Sequence, residues 1–161
     1  DAFRRIQAAV AAAPGATFEG ALVSEMIEGG AELIIGSHHD PQFGPVVIVG
    51  SGGVTAELMR DVSIACAPVS RAKAHEMLQK LKLWPLLDGY RGRAKLDVDA
   101  AAEAISRVSW LAADLGPRLS ELDVNPLIVR RAGRGATVVD AAATIAEEAP
   151  AATPRLQTVV S

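Results

Sequence analysis

A chain of 161 residues, half of them hydrophobic and only 4% aromatic, can bury one core, and that core must be mainly aliphatic. The net charge of -3 and pI near 5.6 argue against a nucleic-acid or anionic-membrane surface as the main role, because counterion-driven binding needs clustered Lys and Arg. The single cysteine, Cys66, excludes an internal disulfide and a cysteine-based zinc cluster, and it fits a reducing cytoplasm.

The opening segment DAFRRIQAAV is broken by charges and is no signal peptide. No apolar run approaches the ~20 residues that span a bilayer. The lack of an initial methionine suggests processing or a piece of something longer. Phe3, Ile6, Val10 and Ala13 recur at helical spacing, and Pro14-Gly15 stops the helix they predict. GALVSEMI and ELIIGSHH read as two β-rich runs around Glu28-Gly29-Gly30-Ala31, and PVVIVG follows the turn DPQFG. Short links between them imply an antiparallel meander. Residues 61–69, DVSIACAPV, predict another strand, with Cys66 a small core residue.

Ser70 is placed to N-cap a helix that turns Ala74, Met77, Leu78 and Leu81 to one side. Asp97 or Asp99 opens a longer helix with Ala101, Ala104, Ile105, Val108, Leu111, Ala112 and Leu115 inward, ended by Gly116-Pro117. Between the helices, LWPLLDGYRGRAK is rich in turn formers. After them, ELDVNPLIV and TVVDAAATI form a hairpin about RRAGRG, and the tail from residue 146 on carries two prolines and no period. Strands in runs, then helices, then a hairpin give an α+β class.

The hairpin carries the chemistry. Folding about Ala132 and Gly133 places Asp140 opposite or almost opposite Asn125, and directly opposed residues share a face. Residues two apart on a strand lie about 6.8 Å apart, so Asp123, Asn125 and Asp140 can converge above the sheet. Two carboxylates and an amide carbonyl suit Mg²⁺, which completes its octahedron with water and phosphate oxygens; they do not suit zinc. A strict period of two also puts Leu127 and Val129 on the face of Glu121, Asp123 and Asn125. That predicts a face buried farther along, whose carboxylates need a partner such as a metal. Pro126 removes a backbone donor, so the strand should be an edge or bulged there.

Other candidates are weaker. Glu25 and Glu32 sit seven residues apart across a glycine turn and could flank one end of a ligand, with the backbone from Ser24 to Met26 free to bond a flat heterocycle. GSGG at 50–53 is neither a Walker A loop nor a dinucleotide fingerprint, so it reads as a turn between strands. Arg91, between two glycines in GYRG, is suited to reach phosphate oxygens. His38 and His39 point to opposite faces of a strand and read as surface residues.

EMIEGGAELIIG, DPQFGPVVIVGSGGV with Glu57 and Asp61 after it, APVS, LLDGYRG, ELDVNPL and VVDA resemble, in order, the ATP-grasp module of NDP-forming acyl-CoA synthetases, relatives of succinyl-CoA synthetase β-subunits. The resemblance implies the C-terminal ATP-grasp lobe over residues 1–145, an antiparallel sheet flanked by helices, with 146–161 as tail or linker. It implies an activity that interconverts acyl-CoA, ADP or GDP and phosphate with acid, CoA and ATP or GTP, through an acyl-phosphate and a phosphohistidine. By position, Ser24, Glu25 and Met26 resemble the hinge that receives adenine, with Glu32 near the ribose. Asn125 and Asp140 resemble the Mg²⁺ ligands, Asp123 matches a metal-side acid, and Arg91 is the candidate phosphate contact and catalytic residue.

No segment matches the first lobe, with its lysine and glycine-rich backbone, nor a CoA-binding domain or a phosphohistidine segment. The expected partners are therefore the nucleotide and the remaining synthetase domains or subunit, with the isolated chain inactive. A similar region also occurs fused to protein acetyltransferases, where it implies a nucleotide-sensing or scaffolding role instead.

Overall fold

The computed structural model describes residues 1–53 and 61–146. Glu57 and the tail from 147 on lie outside the described residues. An antiparallel sheet is built from β1 (Ala31–Asp40), β2 (Gly44–Ser51), β3 (Val62–Cys66), β4 (Leu119–Val129), β5 (Ala136–Val138) and β6 (Ala141–Ile145). Its order is β3-β2-β1-β4-β5, with β6 also paired to β4. The meander is thus β1 to β3, one run later than the sequence pattern suggests.

The run at residues 20–27 is not a strand: it carries no regular structure, and Leu22, Val23 and Met26 stand in solvent. A strand needs a partner edge, and both edges of β1 are taken, by β2 and β4. The first helix, α1 (Ala2–Ala11), forms as its spacing predicts but buries no residue; Phe3 meets Phe18 edge to face, with ring centroids 5.4 Å apart.

One face of the sheet is covered by α2 (Arg71–Gln79), the short α3 (Trp84–Leu87) and α4 (Val98–Leu115). Ser70 caps α2 by accepting from the Lys73 amide, and Ala74, Met77, Leu78 and Leu81 are all buried, as the pattern predicts. Asp97 caps α4 by accepting from the Ala100 amide. Along α4 the buried stripe is Ala101, Ala102, Ile105 and Ala112, whereas Leu111 is 46% exposed, because it lies off that stripe beside the exposed Trp110. Two serines of α4 face inward: the Ser106 hydroxyl donates to the Val69 carbonyl, and the Ser109 hydroxyl accepts from the Val69 amide. They fasten the segment between β3 and α2.

Against the helices lie Leu33, Ile35, Val47, Val49, Val124, Leu127 and Val129, all buried. Removing this apolar surface from water is the main term holding the lobe together, at roughly 25 cal/mol per Å². The opposite face has no helix on it among the described residues. Val62 and Ile64 of β3 are more than half exposed there, and Cys66 with them. Cys66 is therefore not a core residue: it alternates with the inward Ser63 and Ala65 on an edge strand whose outer side no described residue covers.

Candidate functional site

The sequence ELDVN forms the first half of β4, the strand paired to β1 on one side and to β5 and β6 on the other. With β5 and β6 one register holds from Glu121 to Val129, and it slips only between Leu119 and Glu121. Leu127 pairs with Val138 and Val124 with Ala141, so Asn125 stands opposite Asp140, and the Asn125 amide donates to the Asp140 carbonyl at 3.0 Å. This is the register that the turn about Ala132 and Gly133 predicts.

With β1 the register slips. Leu33 pairs with Leu127 but Ile35 with Val124, so Asn125 and Pro126 together oppose Ile34. Pro126 marks a bulge, as its missing donor predicts, and in an interior strand rather than an edge. The bulge overturns one expectation. Leu127 and Val129 do not share the face of Glu121, Asp123 and Asn125. The extra residue restores parity, so that Leu122, Val124, Leu127 and Val129 all face the helices. The carboxylates therefore do not run into a buried region; Glu121 and Asn125 are exposed and Asp123 is half-buried on the open face.

Across that face one row reads Ile64, Ile48, Gly36, Asp123 and Ala142 from β3 to β6. It is apolar over β3 and β2 and acidic over β4. Gly36, directly opposite Asp123, carries no side chain, which leaves room beside the carboxylate. Asp140 is exposed, and its Oδ1 accepts from the Ala141 amide at 2.9 Å. The donor set is thus two carboxylates and an amide, two of them on β4 and the third on the link between β5 and β6. Among the described residues no three His, Cys, Asp or Glu side chains gather closely enough to hold a metal ion. Hard oxygens on a rigid sheet, open to solvent on one side, fit a cation that keeps several water or phosphate ligands.

The other expected residues lie toward one end of the sheet or off it. Glu32 is on the open face at the start of β1, paired with Ile128. The turn after β2 closes over it: the Gly52 amide donates to the Glu32 carbonyl at 2.8 Å, and a Cβ on Gly52 would come within 2.8 Å of the Glu32 Cβ. Close approach of two backbones is the reason for glycine in this part of GSGG. Ser24, Glu25 and Met26 are exposed and make no ladder contact. Arg91 adopts φ 52° in the turn Tyr90–Gly92, with its guanidinium carbon 5.1 Å from the centre of the Tyr90 ring. It is not brought to Asp123, Asn125 or Asp140 by any described contact. His38 is exposed opposite Glu121 at the far end of the open face, and His39 pairs with Pro45.

Two features escape the sequence pattern. Asp61 is buried and accepts from the Ser51 hydroxyl, from the Lys82 amide at 2.7 Å and from the Leu83 amide at 3.0 Å. Burial pushes its carboxyl up, but the three donors outweigh this and hold it below the usual carboxylate value. It forms the floor of a cavity of about 400 Å³ that Leu83, Pro85, Leu86 and Tyr90 also line. Asp97, besides capping α4, accepts from the Gly135 amide at 2.8 Å, and that bond is the chief cause of its lowered carboxyl pKa. An acid beside a strand and a helical N-cap are visible in sequence; their partners some 20 and 38 residues away are not.

A family model described as an ATP-grasp domain matches residues 1–145. This chain belongs to the ATP-grasp family. The ATP-grasp chain is 44% identical over 135 residues to an ADP-forming acetate–CoA ligase I of Archaeoglobus fulgidus, a match that covers 84% of this chain and 19% of that protein. It is 39% identical over 128 residues to the β-subunit of an ADP-forming acetate–CoA ligase II of Pyrococcus furiosus, covering 80% of this chain and 54% of that subunit. A solved dinucleotide-forming acetyl-coenzyme A synthetase 1 of Ca. Korarchaeum cryptofilum, in complex with coenzyme A and Mg-AMPPCP, matches at a TM-score of 0.69 and 40% identity over 74% of this chain and 55% of its own. The chain spans less than two thirds of each of these relatives. Its antiparallel sheet with helices on one face is the ATP-grasp architecture that the resemblance implies.

Proposed function

We propose that this chain is the nucleotide- and Mg²⁺-binding lobe of an ADP-forming acyl-CoA synthetase, acting in the cytoplasm and completed by the first ATP-grasp lobe and by CoA-binding and phosphohistidine-bearing parts. The observation that carries the proposal is the β4 register, which sets Asn125 opposite Asp140 and Asp123 two residues along on the face left free of helices. Relatives named as ADP-forming acetate–CoA ligases support the reaction class.

In this reading Asp123, Asn125 and Asp140 hold the cation on a sheet that keeps them in place. The backbone from Ser24 to Met26 receives the base, Glu32 accepts from ribose hydroxyls, and Arg91 turns off Tyr90 to meet phosphate. Bound Mg²⁺ supplies charge neutralisation at the terminal phosphates, the chief requirement of phosphoryl transfer. The protein's own part is rigid placement of oxygen donors beside an apolar strip, with water excluded when a second lobe closes over the open face.

Calorimetric titration of Mg-ADP into the intact protein and into Asp140→Ala tests the assignment. The variant should lose affinity while keeping its fold. Unchanged ATP-dependent acyl-CoA formation in the variant would remove Asp140 from the site. Binding by the isolated chain as tight as by the intact protein would refute the idea that it supplies one half of the nucleotide site.

A further inference from the structure

The hairpin tip RRAGRG lies beyond the last pair of β4 and β5, Val129 with Ala136, and Arg131 bridges to Leu96. There Arg130, Arg131 and Arg134 line a cavity of about 450 Å³ together with Glu28, Gly29 and Gly30. A second cavity of about 470 Å³ shares Gly29, Gly30 and Arg131 with it and adds Arg93. Among the described residues none of these four arginines forms an ion pair. The Nε of Arg130 is sealed from solvent with no acceptor. Four arginines line two cavities that share Gly29, Gly30 and Arg131, and Glu28 is the one carboxylate among the lining residues, so their charges repel one another and an anion between them relieves that repulsion.

The tip is also built to stay in place without using its guanidinium groups. The Asp97 amide donates to the Arg130 carbonyl at 2.8 Å, the Ala132 amide to the Lys95 carbonyl at 2.9 Å, and the Arg130 amide to the Gly135 carbonyl at 3.1 Å. The Asp97 carboxylate is directed to the Gly135 amide rather than to an arginine. Gly30 presses against the end of β4 so closely that a Cβ there would lie 2.5 Å from the Val129 carbonyl oxygen, which keeps the cavity wall fixed. The loop is held by its backbone groups and by the Asp97 carboxylate, and none of these bonds uses a guanidinium group of the tip.

We propose that this arginine cradle is an anion-binding site separate from Asp123, Asn125 and Asp140, and that it takes a phosphate-bearing small molecule. Guanidinium forks match tetrahedral phosphate oxygens bidentately, and two joined cavities suit two linked phosphoryl groups better than one carboxylate. The site does not depend on Mg²⁺. The phosphate can be that of free inorganic phosphate or diphosphate, or part of a larger phosphorylated metabolite.

The test is titration of inorganic diphosphate and, separately, of orthophosphate into the intact protein with Mg²⁺ chelated. Three forms are compared: wild type, the double variant Arg131→Gln, Arg134→Gln, and Asp140→Asn. The proposal expects saturable binding that weakens with salt, falls at least about tenfold in the double variant and is kept in Asp140→Asn. Diphosphate bound more tightly than orthophosphate indicates a site for linked phosphoryl groups. Orthophosphate bound equally well indicates that a single phosphate suffices, and both support the cradle. Equal affinity in the double variant, loss of binding in Asp140→Asn, or no saturable binding of either anion overturns it. So does capture of a Glu-rich peptide that neither anion displaces, which would make the surface a protein contact. A folded double variant, shown by an unchanged thermal midpoint, is part of the readout, and Arg131→Lys, Arg134→Lys should recover only part of the affinity.

Discussion

The two faces of this sheet are made by the same strands and differ in almost every respect. The helix side carries Leu33, Ile35, Val47, Val49, Val124, Leu127 and Val129 at essentially full burial. The open side carries Glu32, Ile34, Gly36 and His38 on β1 and Glu121, Asp123 and Asn125 on β4, with an apolar strip of Ile48 and Ile64 beside them. Alternation along each strand assigns the buried apolar side chains to one side and the exposed polar groups to the other, so the two can be perturbed independently. The difference teaches where to look for function: in the polar and apolar mixture that helices leave bare.

The largest effect expected from this contrast is on the covered side. Leu127→Ala should cost about 2–5 kcal/mol of stability, read as a shift in the denaturant midpoint, because it empties a fully buried site. Asp61→Ala should cost on the order of 3 kcal/mol, since the Ser51 hydroxyl and the Lys82 and Leu83 amides lose their acceptor inside the protein. A loss under about 0.5 kcal/mol for either would mean that the covered face does not carry the fold.

On the open side, Asp123→Asn in the intact protein should weaken Mg-ADP binding by about tenfold or more, equivalent to ~1.4 kcal/mol, with the thermal midpoint unchanged. A variant that binds normally but melts early would reverse the assignment of the two faces.

Acid should act through the covered face and its loops. The carboxyl pKa values of Asp61 and Asp97 are lowered in the folded chain, so their contribution is complete above the unfolded value near ~3.9 and is lost as pH falls through the folded values. Stability should therefore decline on acidification from about pH 4 downward. Asp97→Asn keeps a capping oxygen but removes the titration, so its decline should be shallower, at a neutral-pH cost of about 1 kcal/mol. The smallest effect is Ile64→Ser on the open face, expected to lie within about 0.5 kcal/mol of wild type because the side chain is already 61% exposed.

What the sequence reveals follows the range of the interaction involved. The Ser70 cap, the Gly116 stop and the hairpin register that opposes Asn125 and Asp140 are all local, set by a few adjacent residues, and each is legible. Residues 20–27 have strand composition but no free partner edge, which depends on how β2 and β4 flank β1. Cys66 looks like core because its neighbours are apolar, yet exposure is decided by whether a helix lies over β3. The face of Leu127 and Val129 is misread for a different reason. Pro126 signals a bulge, but only the pairing with β1 shows that it inserts one residue on that side alone. The arginine cradle is invisible until Gly29 and Gly30, some hundred positions earlier in the chain, come to face RRAGRG.

That single inserted residue in β4 has a practical consequence for protein engineering. Grafting ELDVN onto another antiparallel sheet would carry the oxygen donors but not their orientation unless Pro126 and the matching slip against the neighbouring strand travelled with it. Deleting one residue at 125–126 would instead send Leu127 and Val129 to the solvent side, so the segment behaves as one inseparable cassette.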